Sequence, residues 1–287
     1  MKNDTLNLYT YHNLLFPYAY NILGSAEDAK DVVQEVLSKY LKIDATVKNE
    51  KGYLITSVIN QAINIKNRQK KNLSGDILLP EPIATEESDI ALHLKDIISY
   101  SLLILLEQLN VKERAVFILK EAFNYSHQEI AEVISETKEN SRKLLSRAKS
   151  KLRTSKRPNN TLKRSESNIY LKKYIAAIQD RDVKKLELLF TEDIQIVADG
   201  GNEIKVLRNH TSGKSACIDL MFEVFKKFLQ HQEVKLTEIN HQPAILYFTK
   251  GKLLSCLVFS IDDNEKIYRI SSIIDPKKLI NITEHIN

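Results

Sequence analysis

Apolar residues recur at helical spacing through most of residues 7–71. Ser25 and Asp28 have the spacing of a helix N-cap, and the helix that follows has the inner positions Val32, Val33, Val36, Leu37 and Leu41. A second helix is predicted over about 51–71, with inner positions that include Leu54, Val58, Ile59, Ala62 and Ile63. Residues 1–73 are therefore predicted to form an all-α domain.

The helical pattern stops over residues 72–95. Gly75, Pro80 and Pro82 disfavour helix, and the segment also carries the acidic residues Glu81, Glu86, Glu87 and Asp89. We interpret residues 74–98 as an acidic, proline-containing linker. Helical spacing then resumes, so residues 99–157 are predicted to form a second all-α domain.

Residues 111–152 have the pattern of a helix-turn-helix. Asn110 with Glu113, and Ser126 with Glu129, have the spacing of capping boxes that open two helices. A third helix, over about 137–152, carries Lys138, Arg142, Lys143, Arg147, Lys149, Lys151 and Arg153 outside its apolar side. A short helix, a tight turn and a basic amphipathic helix fit entry into the major groove of DNA. The alternative is a charged face that is merely solvated.

Position along the third helix predicts which side chains meet which part of DNA. Asn140, Ser141, Arg142 and Lys143 lie near its start, where side chains reach base edges. Basic residues such as Lys138 and Arg147 are suited to phosphates.

From residue 166 onward the pattern becomes mixed. Helices are predicted over about 166–180, 182–190 and 214–229, and β-strands over 193–198, 234–241, 244–250, 253–261 and 266–274. Helices followed by antiparallel strands predict an α+β domain over residues 166–287.

Charge and cysteine content indicate the chemical class of partner and the compartment to expect. The chain of 287 residues has a formal net charge of +5, and residues 136–164 hold 11 basic residues against 2 acidic ones. This concentration predicts a polyanionic partner for the helical part. The two cysteines, Cys217 and Cys256, match no metal spacing and are typical of buried residues in a reducing compartment. We expect a cytoplasmic protein with no signal peptide, membrane span, metal or cofactor.

Three segments of the helical part resemble bacterial sigma factors of the extracytoplasmic-function class. Residues 31–35, D-V-V-Q-E, resemble the core of region 2, which implies that Asp31, Gln34 and Glu35 bind RNA polymerase core enzyme. Residues 51–60 and 66–71 resemble the segment that melts and reads the minus-ten element, although Asn64 stands where the family commonly has Asp. Residues 107–152, with K-E-R-A-V-F and Y-S-H-Q-E-I-A, resemble region 4, which reads the minus-35 element.

The residue chemistry agrees with these implied roles. Asp31, Gln34 and Glu35 make an acid-amide-acid cluster that suits a basic protein surface, with the flanking valines as an apolar margin; the alternative is the solvated face of a core helix. Single-stranded DNA is expected to contact Asn60, Lys66, Asn67, Arg68, Lys70 and Lys71. Tyr53 is a candidate stacking residue or, alternatively, a core residue.

The C-terminal part resembles the SnoaL-like cone fold, in the form carried by some sigma factors. Residues 78–82 (L-L-P-E-P), 199–202 (D-G-G-N) and 275–279 (D-P-K-K-L) are similar to the linker, turn and terminal motifs of that group. The resemblance implies a domain that contacts the sigma part and tunes it in cis. The residues expected to make regulatory contacts are Pro80, Glu81, Pro82, Asp199, Gly200, Gly201, Asp275 and Pro276.

Other SnoaL-like folds are enzymes that use an acid–base His or Asp in an apolar pocket. His210, His231, His241 and Asp199 are the candidates here, but lone histidines are commonly surface or core residues, and a general base needs a defined geometry. We therefore predict a non-enzymatic sigma factor that binds polymerase core and promoter DNA, both duplex and melted. The alternative is a one-component DNA-binding regulator with a small-molecule-binding or catalytic cone.

Overall fold

The computed structural model describes residues 4–43, 47–72, 79–85, 94–153, 164–206 and 210–283. The chain divides into two compact units. The helical unit comprises residues 1–76, 89–98 and 102–157, and the C-terminal unit comprises residues 77–88, 99–101 and 158–287. Part of the predicted linker therefore belongs to the C-terminal unit.

Three helices form the first part of the helical unit: α1 (Asp4–Leu23), α2 (Ala26–Leu41) and α3 (Glu50–Asn72). The Ser25 side chain accepts a hydrogen bond from the Asp28 amide at 3.1 Å, so the predicted N-cap is confirmed. The apolar side of α2 is buried, which fixes this helix against α1 and α3.

Helix α4 (Tyr100–Leu105) begins with two residues that belong to the C-terminal unit and continues in the helical unit. The second part of the helical unit then contains a short 3₁₀ turn (Leu106–Gln108), α5 (Val111–Glu121), α6 (His127–Val133) and α7 (Lys138–Arg153). Both predicted capping boxes are confirmed: Asn110 pairs with Glu113, and Ser126 with Glu129, each through reciprocal side-chain and backbone bonds. Ser135, with φ of 54°, makes the turn between α6 and α7. Local spacing thus sets the start of α5 and of α6.

The C-terminal unit is α+β, as expected. Its helices are α8 (Arg164–Gln179), α9 (Val183–Leu189), α10 (Lys214–Val224) and α11 (Pro276–Thr283). Its strands are β1 (Phe190–Asp199), β2 (His210–Ser212), β3 (Glu233–Ile239), β4 (Gln242–Thr249), β5 (Lys252–Ile261) and β6 (Ile267–Ile273). They form one sheet in the order β2-β1-β6-β5-β4-β3, in which β1 and β6 pair in parallel and the other neighbours are antiparallel.

One face of this sheet packs against α8 and α10. Tyr174 of α8 lies edge-on to Phe259 of β5, with ring centroids 4.9 Å apart, and both side chains are buried in the core of the unit. The helix predicted over 214–229 ends differently from expectation, because α10 stops at Val224 and a π-helical turn (Phe225–Leu229) follows. Within the described residues, no helix combines the length and apolar composition that a membrane span requires.

Candidate nucleic-acid interface

Helix α7 separates its basic residues from its apolar ones. Its buried side consists of Ser141, Leu144, Leu145, Ala148 and Leu152. Lys138, Arg142, Lys143 and Arg147 are exposed on the remaining surface. Four of the six predicted minus-35 contacts therefore lie on the solvent side of the helix.

Two other predicted contacts near the start of α7 have partners inside the protein. Ser141 is fully buried, and its hydroxyl lies 2.9 Å from Nδ1 of His127. The prediction that Ser141 reads a base edge was wrong, because its side chain is enclosed within the helix-turn-helix. Asn140 is half-buried, and its Nδ2 donates to Glu136 Oε2 at 2.7 Å.

The pKa of His127 is affected by the positive charges on this surface. Its pKa lies below the usual 6.5, first because burial disfavours the imidazolium and then because Lys120, Arg142, Lys138 and Lys149 oppose a further positive charge. A bound polyanion would relieve that repulsion.

One basic residue of α7 has a structural role. Lys151 Nζ lies 2.6 Å from Oε2 of Glu113, whose side chain is only 2% exposed. Burial favours a higher pKa for the Glu113 carboxyl, but the bonds from Lys151 and the Asn110 amide outweigh it, and the pKa is lowered. Lys151 therefore ties the end of α7 to the start of α5.

The acid-amide-acid cluster of α2 is exposed at Asp31, Gln34 and Glu35. The three valines expected to form an apolar margin beside it are buried, at 0 to 4% exposure. A partner would therefore meet a polar surface here, because the valines belong to the core of the helical unit.

Glu35 has neighbours of its own on this surface. Its carboxylate accepts hydrogen bonds from Lys39 Nζ, at 2.5 Å, and from Gln61 Nε2. These bonds, with Lys39 the largest contributor, lower the pKa of the Glu35 carboxyl. Gln61 belongs to α3, so the α2 cluster adjoins the segment predicted to read the minus-ten element.

The predicted minus-ten residues of α3 differ in exposure. Asn67 and Arg68 are exposed, and Lys70 and Lys71 lie in the last turn of the helix. Tyr53, the candidate stacking residue, is 41% exposed and has its ring centroid 6.0 Å from that of Tyr40.

Asn60 and Lys66 are bonded to other helices of the same unit. Asn60 Nδ2 donates to the Val133 carbonyl at 2.9 Å. Lys66 Nζ donates to the Leu23 carbonyl at 2.7 Å and to Glu107 Oε1 at 3.0 Å. In this conformation the Asn60 side chain contacts α6 of the helix-turn-helix, and the Lys66 side chain contacts α1 and the 3₁₀ turn that precedes α5.

Glu107 also binds Arg114, which is 1% exposed. Arg114 donates through Nη1 to Glu107 Oε1 at 2.5 Å and through Nε to the Asn21 carbonyl at 3.0 Å. Burial favours a higher pKa for the Glu107 carboxyl, but Arg114 and Lys66 overcome this and lower it. This network was not predicted from the sequence, although an Arg within the apolar pattern of α5 was an available signal.

In the C-terminal unit the linker residues are held by a buried carboxylate. Asp199 Oδ2 accepts hydrogen bonds from the Leu79 amide at 2.7 Å and from Lys278 Nζ at 2.6 Å, and Oδ1 accepts from the Gly201 amide at 2.8 Å. Lys278 also donates to the Leu79 carbonyl at 2.6 Å. We refer to Asp199, Lys278 and the backbone of Leu79 as the linker clamp.

Further bonds continue along the linker. The side-chain Oδ1 of Asn240 accepts a hydrogen bond from the Ile83 backbone amide at 3.0 Å. The backbone amide of Asn240 donates to the Ile83 carbonyl at 2.9 Å. Glu81 accepts from Asn281 Nδ2 at 3.2 Å, and Pro80 and Pro82 are buried. Lys278 and Asn240 were missed from the sequence, although Lys278 lies inside the 275–279 motif.

The glycine turn after β1 lies close to Asp275 and to the backbone of Ile204. Gly201 has φ of +61°, and a Cβ there would lie 2.4 Å from Oδ2 of Asp275, while a Cβ on Gly200 would lie 2.1 Å from the Ile204 carbonyl oxygen. Glycine at 200 and 201 therefore leaves room for the Ile204 backbone and the Asp275 carboxylate. Asp275 is buried and caps its own turn by accepting from the Lys277 amide, just before Pro276 opens α11.

Comparison of the chain with known proteins shows which family it resembles. Residues 8–72 match the model of sigma-70 region 2, and residues 101–152 match that of sigma-70, region 4. The probable ECF RNA polymerase sigma factor SigI of Mycobacterium tuberculosis is 24% identical over 277 residues, covering 92% of this chain and 91% of that protein. The chain belongs to the extracytoplasmic-function class of sigma-70 factors.

Other relatives are consistent with this sigma factor assignment. The ECF sigma factor SigJ of M. tuberculosis is 27% identical over 142 residues, covering 47% of this chain and 45% of SigJ. The crystal structure of SigJ shares the fold, with a TM-score of 0.76 and 19% identity over 96% of this chain and 98% of that one. As a sigma factor, the protein directs transcription initiation, and sigma factors bind polymerase core and promoter DNA.

The acid–base candidates of this sigma factor are scattered in the C-terminal unit. His210 and His231 are exposed, the His241 amide donates to Thr85 Oγ1, and Asp199 belongs to the linker clamp. Within the described part of the chain, the wall of the cavity in this unit contains none of the four. The geometry that a general base requires is not assembled by these residues.

Proposed function

We propose that this sigma factor binds polymerase core through the exposed surface formed by Asp31, Gln34 and Glu35. All three side chains project from one helix and are available to a basic partner surface. Because the flanking valines are buried, this contact depends on charge and hydrogen bonding rather than on apolar area. We accordingly expect it to weaken as salt concentration rises.

Promoter recognition is assigned to two helices of the helical unit. Helix α7 enters the major groove of the minus-35 element, with Arg142 and Lys143 near the bases and Lys138 and Arg147 on phosphates. Helix α3 holds the melted minus-ten strand through Asn67, Arg68, Lys70 and Lys71, and also through Asn60 and Lys66 once their internal bonds are exchanged for DNA. The exposed basic face of α7 supports the first assignment.

The C-terminal domain is proposed to modulate this activity in cis. The linker clamp is the observation that carries the proposal, because a buried carboxylate and a lysine hold the backbone of the segment between the two DNA-reading parts of the sequence. Because the clamp holds Leu79, we expect the conformations available to the linker to depend on the conformation of the C-terminal domain.

In vitro transcription tests the assignments. The full-length chain is added to sigma-free polymerase core on promoter fragments, including the region upstream of its own gene, and specific transcripts are measured. Asp31→Ala combined with Glu35→Ala is expected to abolish core binding and transcription. The matched control, Glu192→Ala combined with Glu203→Ala, removes two exposed carboxylates from the C-terminal domain and is expected to retain both. A double variant at 31 and 35 that behaves like this control would contradict the core-binding surface.

Cis modulation is tested in the same assay with Asp199→Ala, compared with Glu192→Ala. Release of the clamp is expected to change transcript yield at least fivefold, corresponding to about 1 kcal/mol, under conditions where circular dichroism shows both variants folded. Equal yields from the two variants would contradict modulation through the linker. Duplex DNA binding that survives without any core binding would instead favour a one-component regulator.

A further inference from the structure

The C-terminal unit contains a cavity of about 460 Å³, bounded by the sheet, by α10 and by the π-helical turn. This volume is within the range of about 300–1,000 Å³ that is usual for small-molecule sites. The wall is mainly apolar, with Ile196, Leu220, Met221, Leu257, Ile270 and Ile274 among its residues. An apolar body of a ligand would be stabilised there by removal from water.

One buried polar group on this wall has no partner among the described residues. Ser255 is 4% exposed, and its Oγ forms no hydrogen bond. Leu257, two residues along the same strand, also lies on the cavity wall, so Ser255 and Leu257 project to the same face of β5. Buried hydroxyls are ordinarily hydrogen-bonded. A polar atom on a bound molecule would satisfy this one.

The charged residues on the wall are of one sign. Lys205 and Lys227 line the cavity and are exposed, and no Asp, Glu or His lines it within the described residues. Lys227 is paired with Glu223 at 2.6 Å, whereas Lys205 has no ion-pair partner in the described part of the chain. The rim therefore favours an anionic group, with Lys205 as the counter-charge that is not already paired with a described carboxylate.

The π-helical turn brings three residues to this wall. The Gln230 amide donates to the Phe225 carbonyl at 2.9 Å, which is the wide hydrogen bond of such a turn, and Lys227, Phe228 and Leu229 within it line the cavity. π-helical turns are rare in proteins, and those that do occur are often found at functional sites. Phe228 is 50% exposed, a cost that an apolar ligand against its ring would offset.

We infer that this cavity binds an amphipathic carboxylate of the medium-chain fatty-acid class, with its chain among the apolar residues and its carboxylate at Lys205. We assign binding alone to this site, because no Asp, Glu or His lines its wall among the described residues. This ligand site is additional to the polymerase and promoter contacts, and neither of those depends on it.

Isothermal titration calorimetry of the full-length protein tests the inference with three probes below their micelle concentrations: sodium decanoate, decan-1-ol and decyltrimethylammonium bromide. Decanoate is expected to bind with one-to-one stoichiometry, decanol up to about fivefold more weakly, and the ammonium compound not at all. Equal affinity for decanoate and decanol, or no saturable decanoate binding, would overturn the inference.

Two variants locate the site. Val224→Trp fills the cavity from a half-buried wall position and is expected to abolish decanoate binding. Lys205→Glu places a carboxylate at the rim and is expected to weaken decanoate about tenfold while leaving decanol unchanged. Lys173→Glu, an exposed charge reversal on α8 outside the cavity, is the matched control and should bind as wild type. Wild-type decanoate affinity in both site variants would place binding elsewhere and refute the site.

Discussion

Replacement of Asp199 by alanine is the most direct test of how the C-terminal unit holds its linker. The carboxylate is 4% exposed and accepts three hydrogen bonds, from Lys278 and from the amides of Leu79 and Gly201. Asp199→Ala leaves the Lys278 ammonium, whose side chain is 14% exposed, without its carboxylate. Loss of one partner from a buried ion pair typically costs about 3–5 kcal/mol, and we expect a loss of that size here.

Glu192→Ala is the matched control because it lies on the same strand and also pairs with a lysine, Lys214, at 2.5 Å. Its side chain is 89% exposed, so its loss should cost at most about 1 kcal/mol. In a domain of this size 1 kcal/mol shifts Tm by about 2–4 °C. We therefore expect the C-terminal transition of Asp199→Ala to fall by about 6–20 °C in differential scanning calorimetry, and that of Glu192→Ala by no more than about 4 °C.

A double-mutant cycle assigns the loss to the ion pair. In a Lys278→Met background the cost of Asp199→Ala should fall, because the uncompensated ammonium is no longer present. Equal Tm shifts for Asp199→Ala and Glu192→Ala, or an unchanged cost in the Lys278→Met background, would refute the reasoning.

Three further predictions follow from particular contacts. Gly201→Ala should be less stable than Gly251→Ala by calorimetry, since both have positive φ but only a Cβ at 201 meets another atom within 4 Å; equal losses would contradict the clash. Lys151→Ala should destabilise the helical unit to urea and raise the pKa of the buried Glu113 carboxyl by NMR, whereas a change in DNA salt dependence alone would show that Lys151 is a phosphate contact. His127 has a lowered pKa, so its contribution to stability is present above about pH 6.5 and is lost as pH falls through its folded pKa. Duplex DNA should raise that pKa in an NMR titration, and an unchanged value would exclude a nearby polyanion.

Local spacing predicted the elements well because its causes are local. The cap at Ser25 and the capping boxes at Asn110 and Ser126 depend on residues three positions apart, and all three form as predicted. The parallel pairing of β1 with β6 joins segments some 70 residues apart, as in Gln195 with Arg269, and no pattern within either strand indicates it. The π-helical turn could not be predicted from the sequence either, because its residues continue the apolar pattern of a helix.

Site residues were predictable in type more than in exposure. Position in the helix placed Ser141 among the base contacts, but the same position faces His127 once α6 packs on α7. Asn60 and Lys66 likewise have partners, Val133 and Glu107, that only tertiary packing brings near. A polar residue near a predicted binding face can serve either the ligand or the fold, and its neighbours in space decide which.

On the proposed roles of Lys66 and Asn60, promoter DNA competes with bonds that these side chains make inside the protein. On their proposed roles, each gains a phosphate or base only by giving up Glu107 or the Val133 carbonyl, so the observed affinity is the intrinsic one reduced by the fraction of molecules in which these side chains are released. On that proposal Glu107 would change the occupancy of the promoter without contacting DNA. Its hold on the buried Arg114 makes that release an exchange among three charges and not the loss of a single surface pair.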